Sequence, residues 1–153
     1  MRKEMRWRFQ DMLAGWTIAA LLVALTTYLL PASIWFQVDA VAIANAKPHI
    51  SPAMAVDRTI HWPFVGTWVV TILKNDNGDF QPYCYASGTN DYSPESKLPR
   101  KLDLDWWTWP KKCDLPEGQY VARTVWEFTV LGFITKDVRM VSNVFTIREE
   151  ALS

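Results

Sequence analysis

The sequence contains few of the side chains that most often carry catalysis. It has two histidines, His49 and His61, and two cysteines in 153 residues. The two histidines do not have the spacing of a helical metal site, and the sequence contains no Gly-x-Ser-x-Gly nucleophile segment and no glycine-rich phosphate loop. The sequence therefore predicts a protein that is not an enzyme and that holds no metal or cofactor.

An excess of positive charge is also missing. The formal net charge is zero, and the part of the chain from residue 37 onward has twelve basic against fourteen acidic side chains. A protein that binds nucleic acid needs a basic surface to displace counterions from the phosphates. Nucleic acid is therefore excluded as a predicted partner.

Charged side chains are absent from residues 12–30, MLAGWTIAALLVALTTYLL. Nineteen residues at a rise of about 1.5 Å each span roughly the hydrocarbon core of a bilayer. Trp7 and Trp16 lie near the start of this run and Trp35 and Phe36 beyond its end, as is typical of aromatic side chains at a membrane interface. The four basic residues of the sequence before it, Arg2, Lys3, Arg6 and Arg8, favour a cytoplasmic N-terminus.

These patterns divide the chain into four predicted parts. They are a basic cytoplasmic N-terminus (1–11), a transmembrane helix with its interfacial exit (12–36), an extended stalk (37–54) and a β-sandwich (55–153). Pro48 and Pro52 are the reason for predicting an unpacked stalk. The anchor would lie in the inner or plasma membrane, with the sandwich in the periplasm or outside the cell.

A cleaved signal peptide is the alternative to an anchor. Ala44-Asn45-Ala46 has the small-x-small form of a cleavage site, although it lies far beyond the apolar run. Either alternative exports the sandwich to an oxidising compartment. Cys84 and Cys113 are the only cysteines, and we therefore expect them to form a disulfide. Two reduced, buried thiols are the other possibility.

Strand-like segments with short turns follow the predicted stalk, and they predict an all-β fold. Residues 64–74 alternate with Phe64, Trp68, Val70 and Ile72 on one face, and Asn77-Gly78 predicts a hairpin turn to a strand at 80–88. The segment NDNGD also has oxygen donors for Ca²⁺, but the rest of a calcium loop is missing. Further strands are predicted at 101–109, 118–128, 128–131 and 138–147.

The segment LPEGQY resembles the tyrosine corner of immunoglobulin-like sandwiches. Glu117, Gly118 and Tyr120 hold the matching positions at the start of an alternating strand. The resemblance implies an Ig-like or fibronectin-like antiparallel β-sandwich, with the tyrosine hydroxyl bonded to nearby backbone. Ala122 stands where immunoglobulin domains have their second cysteine, so a Cys84–Cys113 bridge would differ from theirs.

A cluster of tryptophans is the predicted binding site. Trp106, Trp107 and Trp109 stand beside Asp103 and Asp105 in DLDWWTW. If one face of this strand is exposed, its rings form an apolar surface for a protein, a sugar or a membrane. The alternative is that the rings fill the core of the sandwich. Asp103 and Asp105 are also the candidate acidic pair for a cell-wall hydrolase.

The sequence thus predicts a single-pass membrane protein that carries a binding or scaffolding module, with the lipid bilayer and another envelope protein as its partners. A phage-encoded envelope protein that serves in superinfection exclusion, lysis or virion assembly is the second hypothesis. The hydrolase is the third. The helix could also form a homodimer, because Gly15 and Ala19, and separately Ala20 and Ala24, have the spacing of close helix contacts.

Overall fold

An N-terminal helix precedes strands that form two antiparallel sheets. The computed structural model describes residues 2–96, 101–103 and 113–149, with side chains for 12–96 and 113–149. The described elements are helix α1 (Arg2–Leu29), a 3-10 turn (Ala32–Ile34) and strands β1 (Phe36–Ile43), β2 (Ala53–Ile60), β3 (Phe64–Asp76), β4 (Asp79–Tyr92), β5 (Lys101–Asp103), β6 (Gly118–Val130), β7 (Ile134–Val141) and β8 (Phe145–Ile147).

The two sheets share one apolar core. The smaller sheet has the order β1-β2-β5, and the larger has the order β4-β3-β6-β7, with β8 also paired to β6. Buried side chains from both sheets form a single cluster. Phe36 of the smaller sheet contacts Trp126 of the larger, with 5.6 Å between ring centroids. The predicted all-β sandwich behind an N-terminal apolar helix is therefore confirmed.

Helix α1 is exposed along its apolar part. Residues Met12–Leu29 form a helix long and apolar enough to cross a membrane, and its side chains are exposed except for half-buried Ala24 and buried Thr27. Its threonine hydroxyls find partners within the helix, since Thr17 donates to the carbonyl of Leu13 and Thr26 to that of Leu22. Satisfied hydroxyls of this kind are compatible with lipid.

The central hairpin has the predicted form. Strands β3 and β4 pair from Phe64↔Tyr92 to Asp76↔Asp79. Asn77 and Gly78 make the turn with φ of 54° and 103°, a left-handed conformation that asparagine and glycine tolerate. The amide of Gly78 donates to the side chain of Asn75 at 2.8 Å. This geometry confirms the hairpin turn.

Strand β6 has the predicted alternation and corner. The side chains of Tyr120, Ala122, Thr124, Trp126 and Phe128 are buried, while those of Arg123 and Glu127 are exposed. The Tyr120 hydroxyl donates to the carbonyl of Pro116 at 2.6 Å. The tyrosine therefore ties the segment before β6 to the start of the strand, as the tyrosine-corner resemblance implied.

Strand β1 lies where the sequence predicted a stalk over 37–54. Phe36, Val41 and Ile43 are buried, and β1 pairs with β2 along its length. A bulge between Val38 and Ala40 shifts the register. Because a bulge changes which residues face inward, the alternation of Phe36 and Val38 does not continue to Val41 and Ile43, and the sequence does not read as a strand.

Three other strand assignments also differ. Strand β2 was not predicted, since its inward positions include Arg58 as well as Met54 and Val56. The predicted strand at 128–131 is the end of β6. The predicted strand at 138–147 is interrupted after Val141, because the Ser142 hydroxyl accepts from the amide of Ala122 and turns the chain.

Cys84 and Cys113 form the expected disulfide. It joins β4 to the segment before β6, with 5.8 Å between the two Cα atoms and 29 residues of sequence separation. Close to it, the Tyr83 hydroxyl donates to the carbonyl of Asp114 at 2.9 Å. The bridge therefore closes a loop over residues 84–113, which contains the second half of β4 and all of β5.

Removing this disulfide should destabilise the sandwich. We expect the variant Cys84→Ala/Cys113→Ala to lose about 3–4 kcal/mol in the free energy of unfolding, because a loop of 29 residues is no longer closed in the unfolded chain. Urea unfolding of the full chain in detergent, followed by circular dichroism, measures the difference. Unchanged stability would show that the bridge does not constrain the unfolded state.

The Tyr120 hydroxyl should contribute to stability in a pH-dependent way. Burial, followed by the neighbouring Tyr83 and Asp114, raises the pKa of Tyr120 to about 12 from its ordinary 10.0. The folded state therefore favours the neutral phenol. The resulting contribution to the free energy of unfolding is complete below pH 10 and is lost as pH rises through about 12. Tyr120→Phe should cost about 1 kcal/mol at neutral pH and should weaken the alkaline loss of stability.

The matched control is Tyr85→Phe, because the Tyr85 side chain is 64% exposed. Urea midpoints of both variants between pH 7 and pH 12 make the comparison. Equal midpoints for the two variants at every pH would contradict the role of the Tyr120 hydroxyl.

Candidate functional site

The predicted tryptophan site lies mostly outside the described residues. Asp103 is the last residue of β5, whose backbone pairs with Ala53 of β2. Trp106, Trp107, Trp109 and Asp105 fall within 104–112, which the structure does not describe. Their role as a binding site remains a prediction.

A second candidate site is the junction between helix α1 and the sandwich. Strands β1, β3 and β7 begin at this end, and β2 and β6 finish there, as the pairs Phe36↔Ile60 and Val130↔Ile134 show. The loops 61–63 and 131–133 connect strands at the same end. We call it the helix-proximal end of the sandwich, and the end with Asn77-Gly78 the distal end.

Lys136 of β7 caps the C-terminus of the helix. Its ammonium donates to the carbonyls of Tyr28 and Leu30, both at 2.7 Å. The last carbonyls of a helix have no partner within the helix and carry the negative end of its dipole, so a lysine is favourable there. The ammonium also lies 5.7 Å from the ring centre of Tyr28 and 5.9 Å from that of Trp35.

Trp35 makes the second attachment of the helix exit to the sandwich. Its carbonyl accepts from the amide of His61 at 2.9 Å and from that of Trp62 at 3.4 Å. The 3-10 turn before it ends with the amide of Trp35 donating to Ala32. The chain therefore passes from the helix to β1 through a short segment that is bonded to Lys136 at Leu30 and to the loop 61–63 at Trp35.

Aromatic side chains fill the core next to this junction. The set is Phe36, Phe64, Tyr92, Trp126 and Phe128, with neighbouring ring centroids 4.4–5.6 Å apart. The Arg58 guanidinium lies over the Tyr92 ring at 6.0 Å, and burial lowers the pKa of Arg58. Burial also raises the pKa of Tyr92. Such packing holds the helix-proximal end of both sheets rigidly.

The distal end is closed by polar contacts. The Asn143 side chain accepts from the amide of Ile43 at 2.8 Å and donates to its carbonyl at 2.9 Å. The amide of Ala46 donates to Thr146, and Ala46 bridges Ile147 of β8. An exposed contact joins His49 to Asp114. Among the described side chains, no cluster of three histidine, cysteine or acidic residues could hold a metal ion.

The junction can therefore hold a folded domain at a fixed angle to an apolar helix. Reasoning from the sequence missed it, because a single lysine on an alternating strand gives no signal of what it contacts 106 residues away. Comparison with known proteins gives no match: no family model, no curated protein and no solved structure is significantly similar to this chain.

Replacing Lys136 should loosen the junction without unfolding the sandwich. In Lys136→Met, the carbonyls of Tyr28 and Leu30 lose a charged donor, worth about 1–2 kcal/mol. We expect the amides of Leu30 and Trp35 to exchange with solvent about tenfold faster. Hydrogen exchange of the full chain in nanodiscs measures this.

Lys47→Met is the control, since Lys47 lies exposed toward the distal end. It should leave both exchange rates unchanged. A Lys136→Met variant with the exchange rates of Lys47→Met would show that the lysine does not hold the junction.

Proposed function

We propose that this chain is a single-pass membrane protein whose β-sandwich acts outside the cytosol as a binding or scaffolding module without catalysis. The observation that carries the proposal is the exposed apolar helix Met12–Leu29, which ends in carbonyls bonded to Lys136 of the sandwich. A helix of this composition is stable in lipid and unfavourable in water.

The position of β1 supports an uncleaved anchor. Cleavage after Ala46 would remove Phe36, Val41 and Ile43, which are buried in the core. It would also cut the chain next to the contacts of Ala46 with Thr146 and Arg148. The helix therefore stays attached to a strand that the sandwich needs.

Three further observations fit export and an Ig-like relationship. The Cys84–Cys113 disulfide suits an oxidising compartment. The basic residues before the helix favour a cytoplasmic N-terminus and an exported sandwich. The bond from Tyr120 to Pro116 matches the tyrosine corner of Ig-like domains, many of which bind other proteins. Anchoring restricts the module to one layer, which raises its effective concentration toward other envelope components.

Crosslinking in living cells tests the function. A photoreactive amino acid in place of Trp107, in the predicted binding cluster, should trap an envelope protein. The experiment uses membranes in which the full chain has the Cys84–Cys113 disulfide. The control position is Tyr85, which is exposed on the outer face of the larger sheet. Identification of the trapped partner by mass spectrometry is the readout.

Two outcomes would contradict the proposal. If the chain is recovered from the cytosol with free thiols, the membrane anchor and the export are wrong. If Trp107 and Tyr85 trap the same proteins at the same level, the binding role of the tryptophan cluster is wrong.

A further inference from the structure

The helix-proximal end carries exposed apolar side chains that no part of the described chain covers. Trp62 is 60% exposed, Leu131 is 52% exposed and Phe133 is 66% exposed. The loops that hold them are His61-Trp62-Pro63 and Leu131-Gly132-Phe133, and neither contains an acidic residue, a lysine or an arginine. Exposed apolar side chains grouped in loops that contain no charged residue are a costly surface in water.

Both loops are fixed to the point where the helix ends. The loop 61–63 is bonded to it through the carbonyl of Trp35. The loop 131–133 precedes Lys136, which holds the carbonyls of Tyr28 and Leu30. Three residues of a strand measure about 10 Å, so Phe133 lies within about that distance of Lys136, whose ammonium contacts the helix terminus.

We infer that these two loops enter the interfacial layer of the bilayer and that the sandwich rests directly on lipid. The inference depends on the proposed membrane anchor, since the helix brings the bilayer surface to the level of Tyr28 and Leu30. Tryptophan prefers this layer, where its apolar ring is covered and its indole N–H stays hydrated, and phenylalanine and leucine bury apolar side chains there. Lys136 lies beside the loops and places its charged ammonium in the same interfacial layer.

The lipid surface is the occupant that fits best because the loops with the exposed rings adjoin the end of the apolar helix, one through Trp35 and the other through Lys136. The distal end serves as a contrast, since its exposed large side chains Ile50, Val141 and Val144 are aliphatic, and its partly exposed ring, Tyr83, has its hydroxyl bonded to the carbonyl of Asp114. The two ends of the sandwich lie at different distances from the bilayer, because β3 runs between them, has 13 residues and is about 40 Å long.

Paramagnetic relaxation in a bilayer tests the inference. The isotope-labelled full chain is placed in phosphatidylcholine nanodiscs with one chain each, and spectra are compared with lipid nitroxides near the headgroup and with a water-soluble gadolinium chelate. We expect the lipid nitroxide to relax the Trp62 indole and the amides of Leu131 and Phe133 about tenfold more than those of Ile50 and Val144, since the effect falls steeply over the length of the strands.

The helix distinguishes the two possible failures. If Leu21 and Val23 of the helix are relaxed by the lipid nitroxide but Trp62 and Phe133 behave like Ile50 and Val144, the lipid contact is wrong and the anchor stands. If the helix amides respond to the gadolinium chelate instead, the membrane anchor itself is wrong, and the lipid contact falls with it. Protection of Trp62 from both reagents would assign its cover to protein and would also overturn the inference.

Discussion

The contact on which the structure depends is the one between the Lys136 ammonium and the carbonyls of Tyr28 and Leu30. A helix that ends at a membrane surface leaves its last carbonyls without partners. The Lys136 ammonium of the sandwich donates to these carbonyls, so the helix terminus and the lysine both gain hydrogen-bond partners. The same contact removes the freedom that a flexible connector would give.

Direct attachment explains why the first strand follows the helix so closely. Only the segment 30–35 separates α1 from β1, and Phe36 is fully buried at the start of that strand. The aromatic cluster around Phe36 then fixes the helix-proximal end of both sheets. Helix, junction and core thus form one continuous set of contacts, in which hydrogen bonds from Lys136 and to Trp35 join the helix end to the packed sandwich.

Sequence reasoning predicted the elements with simple periodicity and missed those without it. Inward residues alternate from Phe64 to Ile72 of β3 and from Ala122 to Phe128 of β6, and Asn77-Gly78 is a strong hairpin signal, so these features were confirmed. Strand β1 was hidden by its bulge after Val38. The junction could not be predicted, because Lys136 gains its role only when β7 meets the helix end. The tryptophan cluster at 106–109 remains a prediction from composition.

The central claim is that the apolar helix and the sandwich form one rigid body. Residual dipolar couplings of the full chain in weakly aligned nanodiscs test it most directly. The account predicts that amides of helix residues 14–28 and of strands β3 and β6 fit a single alignment tensor. Two different tensors, with a smaller one for the sandwich, would contradict it and would indicate a flexible connector at residues 30–35.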